Sequence, residues 1–459
     1  MREGLHKIVS AEETIVAIAT PLGRSGIGIV RMSGRDALAI ADRFFKSSVG
    51  VEHRHATVGV WVDAAGQMVD EVIVTYFRTP QSYTGEDIVE ISAHGNPLIH
   101  HRIIECARSA GARIATPGEF TLRAVAHGKM DLIQAEAVRE FIEAQTEQQA
   151  RTALRQMEGA NSKRIRPIKD QLIHIVAQIE AGIDFAEDDV QIPDGSTIAV
   201  RVRPLTAQLE SLQETFGYGR MLIQGLHLAI LGKPNVGKSS LFNRMVSADR
   251  AIVTDIPGTT RDVVTETVHM DGVPLRFSDT AGIRETSDHV ESVGVTKTME
   301  TLYGADLALV VLDGSSALDD NDHVVLNRTS AISHLIVINK CDLTEAIPPG
   351  SFNQTRALRV SAKTGEGLLE LGEAIRRFVF DRKTDVSDDF VLTSGRQNEA
   401  ILKAISALRA GSDAIERRVP HEMVLLDFYE AISALDEMTG EVVTDDILDR
   451  IFSTFCIGK

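Results

Sequence analysis

The sequence predicts a multidomain α/β chain: an N-terminal α+β domain, a discontinuous helical bundle and, inserted into that bundle, a doubly wound α/β domain. Three observations predict it. At 459 residues the chain is long for a single hydrophobic core. Between residues 221 and 383, apolar strand-like runs alternate with helical segments, as a doubly wound sheet requires. On either side, residues 126–220 and 384–459 carry helical patterns, which reads as one bundle interrupted by an insertion, since domain termini commonly lie close together.

The first domain, residues 1–125, mixes the strand-like runs TIVAIAT, GIGIVRM, EVIVTYF and DIVEISA with a helix opening at NPLIHHRIIECA. Asn96 is placed to cap that helix, and Pro97 suits its first turn. In the helical block that follows, Leu172, Ile175, Val176 and Ile179 recur at the spacing that lines one helix face. Within the insert, LHLAILG, LALVVLD, HLIVINK and ALRVSA read as buried strands.

Bulk composition narrows the function classes. With 43% hydrophobic and 25% charged residues the chain is globular rather than disordered. Its formal charge of −17 argues against nucleic-acid binding by bulk electrostatics, so any RNA contact must be a local patch. Cys106, Cys341 and Cys456 are far apart and odd in number, which fits a reducing compartment without a disulfide framework or zinc pairs. TIVAIAT is too short for a membrane span, and no signal peptide is evident, so a cytoplasmic location is expected.

The chemistry begins at GKPNVGKSS, residues 232–240, where a strand precedes and a helix follows. In this P-loop spacing the backbone around Asn235, Val236, Gly237 and Ser240 approaches phosphates, Lys238 reaches the β- and γ-phosphates, and the Ser239 hydroxyl suits Mg²⁺. The loop alone leaves ATP and GTP open. NKCD decides the base: Asp342, beside Asn339 and Lys340, can accept from the two donors of the guanine edge, a pattern adenine lacks. The SAK run, Ser361, Ala362 and Lys363, follows another strand and would bring amides near the guanine oxygen. TDIPGTT supplies Thr254, Asp255, Ile256, Pro257, Gly258, Thr259 and Thr260; Thr260, with Thr259 as its rival, is expected to complete the Mg²⁺ shell. DTAG supplies Asp279, Thr280, Ala281 and Gly282. In order and on strand ends, these motifs point to GTP and make the insert a Ras-like P-loop G domain.

PNVGKSSL, IVTDIPGTTRD and the terminal FCIGK together resemble the MnmE (TrmE) family of tRNA-modification GTPases, over essentially the whole chain. The resemblance implies a homodimer that works with an FAD-dependent, MnmG-type partner. The pair would add an aminomethyl or carboxymethylaminomethyl group to C5 of the wobble uridine of certain tRNAs. The donor would be 5-formyl-tetrahydrofolate or a related one-carbon folate. It also implies a K⁺ ion in place of an arginine finger, held by Asn235, Thr254, Ile256 and Thr259. Ile283 follows DTAG where many switch GTPases carry a water-orienting glutamine, and by resemblance Glu291 takes that catalytic role beside Lys238. Folate would meet Arg31, Glu90 and Lys129, with Lys459 reaching in from the far terminus, and Cys456 is the reactive candidate of that tail.

The most basic stretch, RTALRQMEGANSKRIRPIKD, is a candidate tRNA contact but reads first as a solvated helix face, and His94 reads as structural. One rival function is a GTP-dependent ribosome-assembly factor that binds rRNA as a switch. It has no need of the N-terminal domain or of CIGK. Another, a folate-dependent aminomethyltransferase acting alone, leaves the GTPase motifs without a purpose.

Overall fold

The computed structural model describes residues 13–184, 194–248, 267–270, 273–277, 304–348, 351–352, 357–380, 390–442 and 444–458. They divide into two compact units: one comprises Met1–Arg139, Leu154–Leu209 and Glu399–Lys459, the other Glu140–Ala153 and Glu210–Asn398. The mixed α/β chain with a helical part that the sequence predicts is what is found.

The first unit is built on a seven-stranded sheet in the order β3-β4-β5-β6-β2-β1-β7. Its strands are β1 (Ile15–Ile18), β2 (Ser25–Ser33), β3 (Phe45–Lys46), β4 (Ala56–Val62), β5 (Met68–Phe77), β6 (Ile88–Gly95) and β7 (Arg113–Ile114). All neighbours run antiparallel except β1 and β7. Strand alternation sends Val30, Met32, Trp61, Val72, Val74, Val89 and Ile91 into one core under the helices Ala37–Phe44 and Pro97–Ser109. As expected, the Asn96 side chain caps the second of these helices by accepting from Leu98 N, with Pro97 in its first turn. Alternation therefore turns Arg31 and Glu90 to the opposite face, directly across from each other in register.

The helical part of this unit joins distant sequence. Val125, Leu132, Ala135 and Val138 pack with Leu448, Ile451, Phe452 and Phe455. The helices Ala160–Asp184 and His421–Thr439 lie side by side, with Leu172, Ile175, Val176 and Ile179 all buried. Part of the basic stretch departs from the solvated-face reading: Ile165 and Ile168 are buried, and Lys169, also buried, bridges Asp436 and Glu441 at 2.5 Å each. Arg151, by contrast, makes an exposed pair with Glu147.

The second unit carries a six-stranded sheet ordered β13-β12-β11-β8-β10-β9. The strands are β8 (Leu226–Leu231), β9 (Thr267–Met270), β10 (Val273–Phe277), β11 (Leu307–Asp313), β12 (His334–Asn339) and β13 (Ala357–Arg359). All pair in parallel except the β9–β10 hairpin at one edge, which the strand reading of the sequence misses. Strand order reverses between β8 and β11, so their carboxyl ends open the crevice where such sheets bind ligands.

A buried ion cluster in the first unit sets an acid limit. The Glu119 carboxylate accepts from Arg113 and Arg123, from Thr116 N and from the Thr116 hydroxyl. Burial alone would raise its carboxyl, but these donors outweigh it and hold it down to about 2. Because the folded value lies below the unfolded one, this stabilisation is present above about pH 4.5 and is lost as pH falls toward 2. Glu119→Gln should remove about 3 kcal/mol of stability near neutral pH and flatten the decline between those limits, as read by denaturant titration across pH.

Candidate functional site

Gly232 opens the loop after β8 with φ +153°, where a Cβ would lie 2.4 Å from the Val311 carbonyl. Asn235 follows in the left-handed region at φ +64°, and Gly237 at φ +95°. The helix Lys238–Ala248 then begins, so its first amides converge on the loop. The Lys238 ammonium donates to the Gly232 and Lys233 carbonyls, both at 2.8 Å, and burial lowers its pKa. Ser239 is half-buried at the helix start, and Asn235 and Ser240 are exposed.

One side chain ties this loop to the base-reading segments. Asn339, at the end of β12 and 2% exposed, donates from Nδ2 to the Val236 carbonyl at 2.8 Å and accepts at Oδ1 from Ala362 N at 3.0 Å. A Cβ at Gly237 would lie 2.2 Å from that Nδ2, so only glycine allows the approach. The Ala362 amide is therefore spent within the protein rather than directed at a purine. Ser361 Oγ donates to Asp342 Oδ1 at 2.7 Å, which orients an exposed carboxylate toward the crevice rim. Lys363 is exposed.

The structure thus brings together the P-loop residues with Asn339, Lys340, Asp342, Ser361 and Ala362. Thr254, Asp255, Ile256, Pro257, Gly258, Thr259, Thr260, Asp279, Thr280, Ala281, Gly282, Ile283 and Glu291 lie outside the described residues. Sequence reading missed two elements that brace the loops. Lys233 pairs with Asp319 and Asp322 at 3.0 and 2.8 Å, at the capped start of the helix Asp320–Thr329. Asp313, the last residue of β11, holds Lys340. The acidic capping pattern at 319–322 was the readable signal for the first.

A second cluster occupies the other face of the first unit's sheet, where Ile15, Ala17, Ala115 and Phe120 form a small core. Arg31 donates from Nε to Glu90 Oε1 at 2.8 Å and from Nη1 to the Gly458 carbonyl at 3.3 Å. Its guanidinium lies 6.0 Å from the Tyr83 ring centre and 5.7 Å from that of Phe120. Gly458, at φ +100°, is buried against β1, where a Cβ would stand 2.1 Å from the Ile18 carbonyl. The chain terminus is therefore docked beside Arg31, with Cys456 exposed. Lys459 lies outside the described residues. Lys129 is exposed and donates to the Pro80 carbonyl at 2.9 Å. His94 is also exposed, its Nδ1 2.8 Å from the buried Asp70 carboxylate, which accepts from His94 N as well.

Comparison with known proteins gives the family. The profile of the MnmE helical domain matches residues 132–456, and that of the GTP-binding protein TrmE N-terminus matches residues 14–129. The chain belongs to the MnmE (TrmE) family. A "tRNA modification GTPase MnmE" of Koribacter versatilis is 47% identical, with 98% of this chain and 100% of that protein covered. One from Aquifex aeolicus is 43% identical over 97% and 100%. Among solved structures, the G domain of the T. maritima FeoB iron transporter is 20% identical with a TM-score of 0.26, covering 35% of this chain and 99% of that one. Full-length identity to MnmE proteins sets the ribosome-assembly reading aside, because it includes the N-terminal and helical domains.

The Asp342 geometry yields a test of base recognition. Asp342→Asn replaces an acceptor of guanine's donors with an amide, and should shift preference from GDP toward xanthosine diphosphate by at least about tenfold. Competition binding reads the ratio, and an unchanged preference would mean that Asp342 does not face the base.

Proposed function

We propose that the chain is a potassium-dependent GTPase of tRNA wobble-uridine modification. Acting with an FAD-dependent partner, it would install an aminomethyl or carboxymethylaminomethyl group on C5 of uridine 34 from a folate one-carbon donor. The observation that carries the GTPase part is the Asn339 bridge, which joins a phosphate-binding loop to a guanine-reading pair in one unit. Full-length identity to proteins named tRNA modification GTPase supports the tRNA-modification part, and the potassium, FAD-partner and folate parts follow the family resemblance.

The residues fit the groups this reading requires. Ser239 offers a hydroxyl at the helix start beside Lys238, where Mg²⁺ would sit, with Thr260 as the second ligand proposed. Asn235 presents an exposed amide from a left-handed turn, whose oxygen could meet K⁺; Thr254, Ile256 and Thr259 are proposed as its companions. These cations, when bound, offset charge developing on the transferred phosphate. Glu291 is proposed to orient the attacking water, since Ile283 cannot. On that sheet face, Arg31, beside the Tyr83 and Phe120 rings, and Glu90 offer a donor and an acceptor suited to the amide edge of a pterin. Lys129 and Lys459 suit its anionic tail.

The domain division we propose is 1–125, 126–220, 221–383 and 384–459, the second and fourth parts forming one bundle, and the working form a homodimer. Among the described residues no helix is long and apolar enough to cross a membrane. A cytoplasmic location is part of the proposal.

The docked terminus makes the two activities separable. Deleting residues 456–459, which belong to the first unit, removes the Gly458 carbonyl from Arg31. We expect the truncated protein to keep GTP hydrolysis that is faster in K⁺ than in Na⁺ at equal ionic strength, and to lose modified wobble uridine. Mass spectrometry of tRNA nucleosides reads the second activity. Intact modification would make the tail dispensable, and equal hydrolysis rates in the two salts would remove the potassium role.

A further inference from the structure

Lys340 stands two residues before Asp342 and adopts φ +66°, a conformation uncommon for a side chain of its size. Its ammonium is free to rotate on a four-carbon stem unless something holds it. An unheld ammonium so close to Asp342 would pair with that carboxylate and compete with the donors of a guanine edge. Asp313 prevents this. In the β11–β12 ladder Asp313 is in register with Asn339, which places its carboxylate beside the start of the NKCD turn. Oδ2 accepts from Lys340 Nζ at 2.6 Å, while Oδ1 accepts from Ser315 N at 3.0 Å and Ser315 Oγ at 2.6 Å.

The surrounding backbone makes the arrangement rigid. Gly314 N donates to the Asn339 carbonyl at 2.8 Å, and a Cβ at Gly314 would stand 2.9 Å from that oxygen. Burial by itself would raise the Asp313 carboxyl, but Lys340 and Ser315 outweigh it and keep it below the usual carboxylate range. The acid is therefore ionised wherever the protein functions near neutral pH.

We propose that Asp313 is a positioning residue for guanine recognition: it pins the Lys340 ammonium away from Asp342 and so fixes the Lys340 stem as an apolar shelf beside the base. The inference rests on the guanine-nucleotide reading of this site. It assigns the end of β11, which carries none of the nucleotide motifs, a part in nucleotide affinity. Ser315 completes the device by occupying the carboxylate oxygen that Lys340 does not use.

The test is a double-mutant cycle on the full chain, with the dissociation constant for GDP as the readout. Asp313→Asn is nearly isosteric and keeps an acceptor for Ser315, so it should fold; it should weaken GDP binding about tenfold. In a Lys340→Met background, which keeps an apolar stem without the ammonium, the same substitution should change binding by less than about twofold. Turnover at saturating GTP should be little altered in Asp313→Asn, because the interaction serves binding rather than the transition state. A tenfold loss that persists in the Lys340→Met background would overturn the proposal, since Asp313 would then act through the fold alone. So would wild-type affinity in Asp313→Asn. Failure of the unmodified protein to bind GDP would instead defeat the guanine-nucleotide reading itself.

Discussion

The nucleotide-binding unit depends on a buried amide. Asn339 uses both ends of its side chain on backbone, Nδ2 on the Val236 carbonyl and Oδ1 on the Ala362 amide, and it does so where almost no water reaches. Each bond satisfies a group that would otherwise be left unpaired in the interior, a loss worth about 1–3 kcal/mol apiece. Three loops from three strands are thereby held in one register. Gly237 is required because its Cα lies under the amide, and Asp342 is aimed because Ser361, adjacent to Ala362, is fixed by the same bond. Phosphate binding and base reading are mechanically a single site.

The outer braces extend that constraint. Lys233 ties the phosphate loop to the helix after β11 through Asp319 and Asp322, and Asp313 ties the base-reading turn to the end of β11. The end of β11 and the helix that follows it are thereby tied to both loops. In the other unit an analogous economy holds: Arg31 is opposed by Glu90 through strand register, and the chain terminus closes on it through Gly458. Arg31 and Gly458, 427 residues apart in sequence, thus meet at one guanidinium.

How much of this was legible in the sequence depends on whether the signal was local. The buried strands β8, β11 and β12 were readable because parallel strands covered on both faces are continuous apolar runs. The Asn96 cap and the Leu172 to Ile179 stripe were readable for the same reason, each being set within a few residues. The β9–β10 hairpin was missed although its signals were local, an Asp271-Gly272 pair followed by alternating Val273, Leu275 and Phe277, because Pro274 within the second strand argues against a strand. Lys169 was misread as solvated because its partners come from far along the chain, Asp436 from the last turn of a helix and Glu441 from just beyond it. Asp313 and Lys233 escaped for that reason too: a strand-end acid and a loop lysine acquire meaning only when tertiary pairing is known. Motif order found the site, while the contacts that rigidify it required the fold.

The central claim is that one side chain couples phosphate binding to base recognition, and calorimetric titration of Asn339→Ala with GDP and with inorganic pyrophosphate tests it most directly. The account predicts a folded protein, by circular dichroism, whose affinity for both ligands falls at least about tenfold, because the Val236 and Ala362 groups lose their partner together. Loss of GDP affinity with pyrophosphate binding unchanged, or no loss of either, would contradict it.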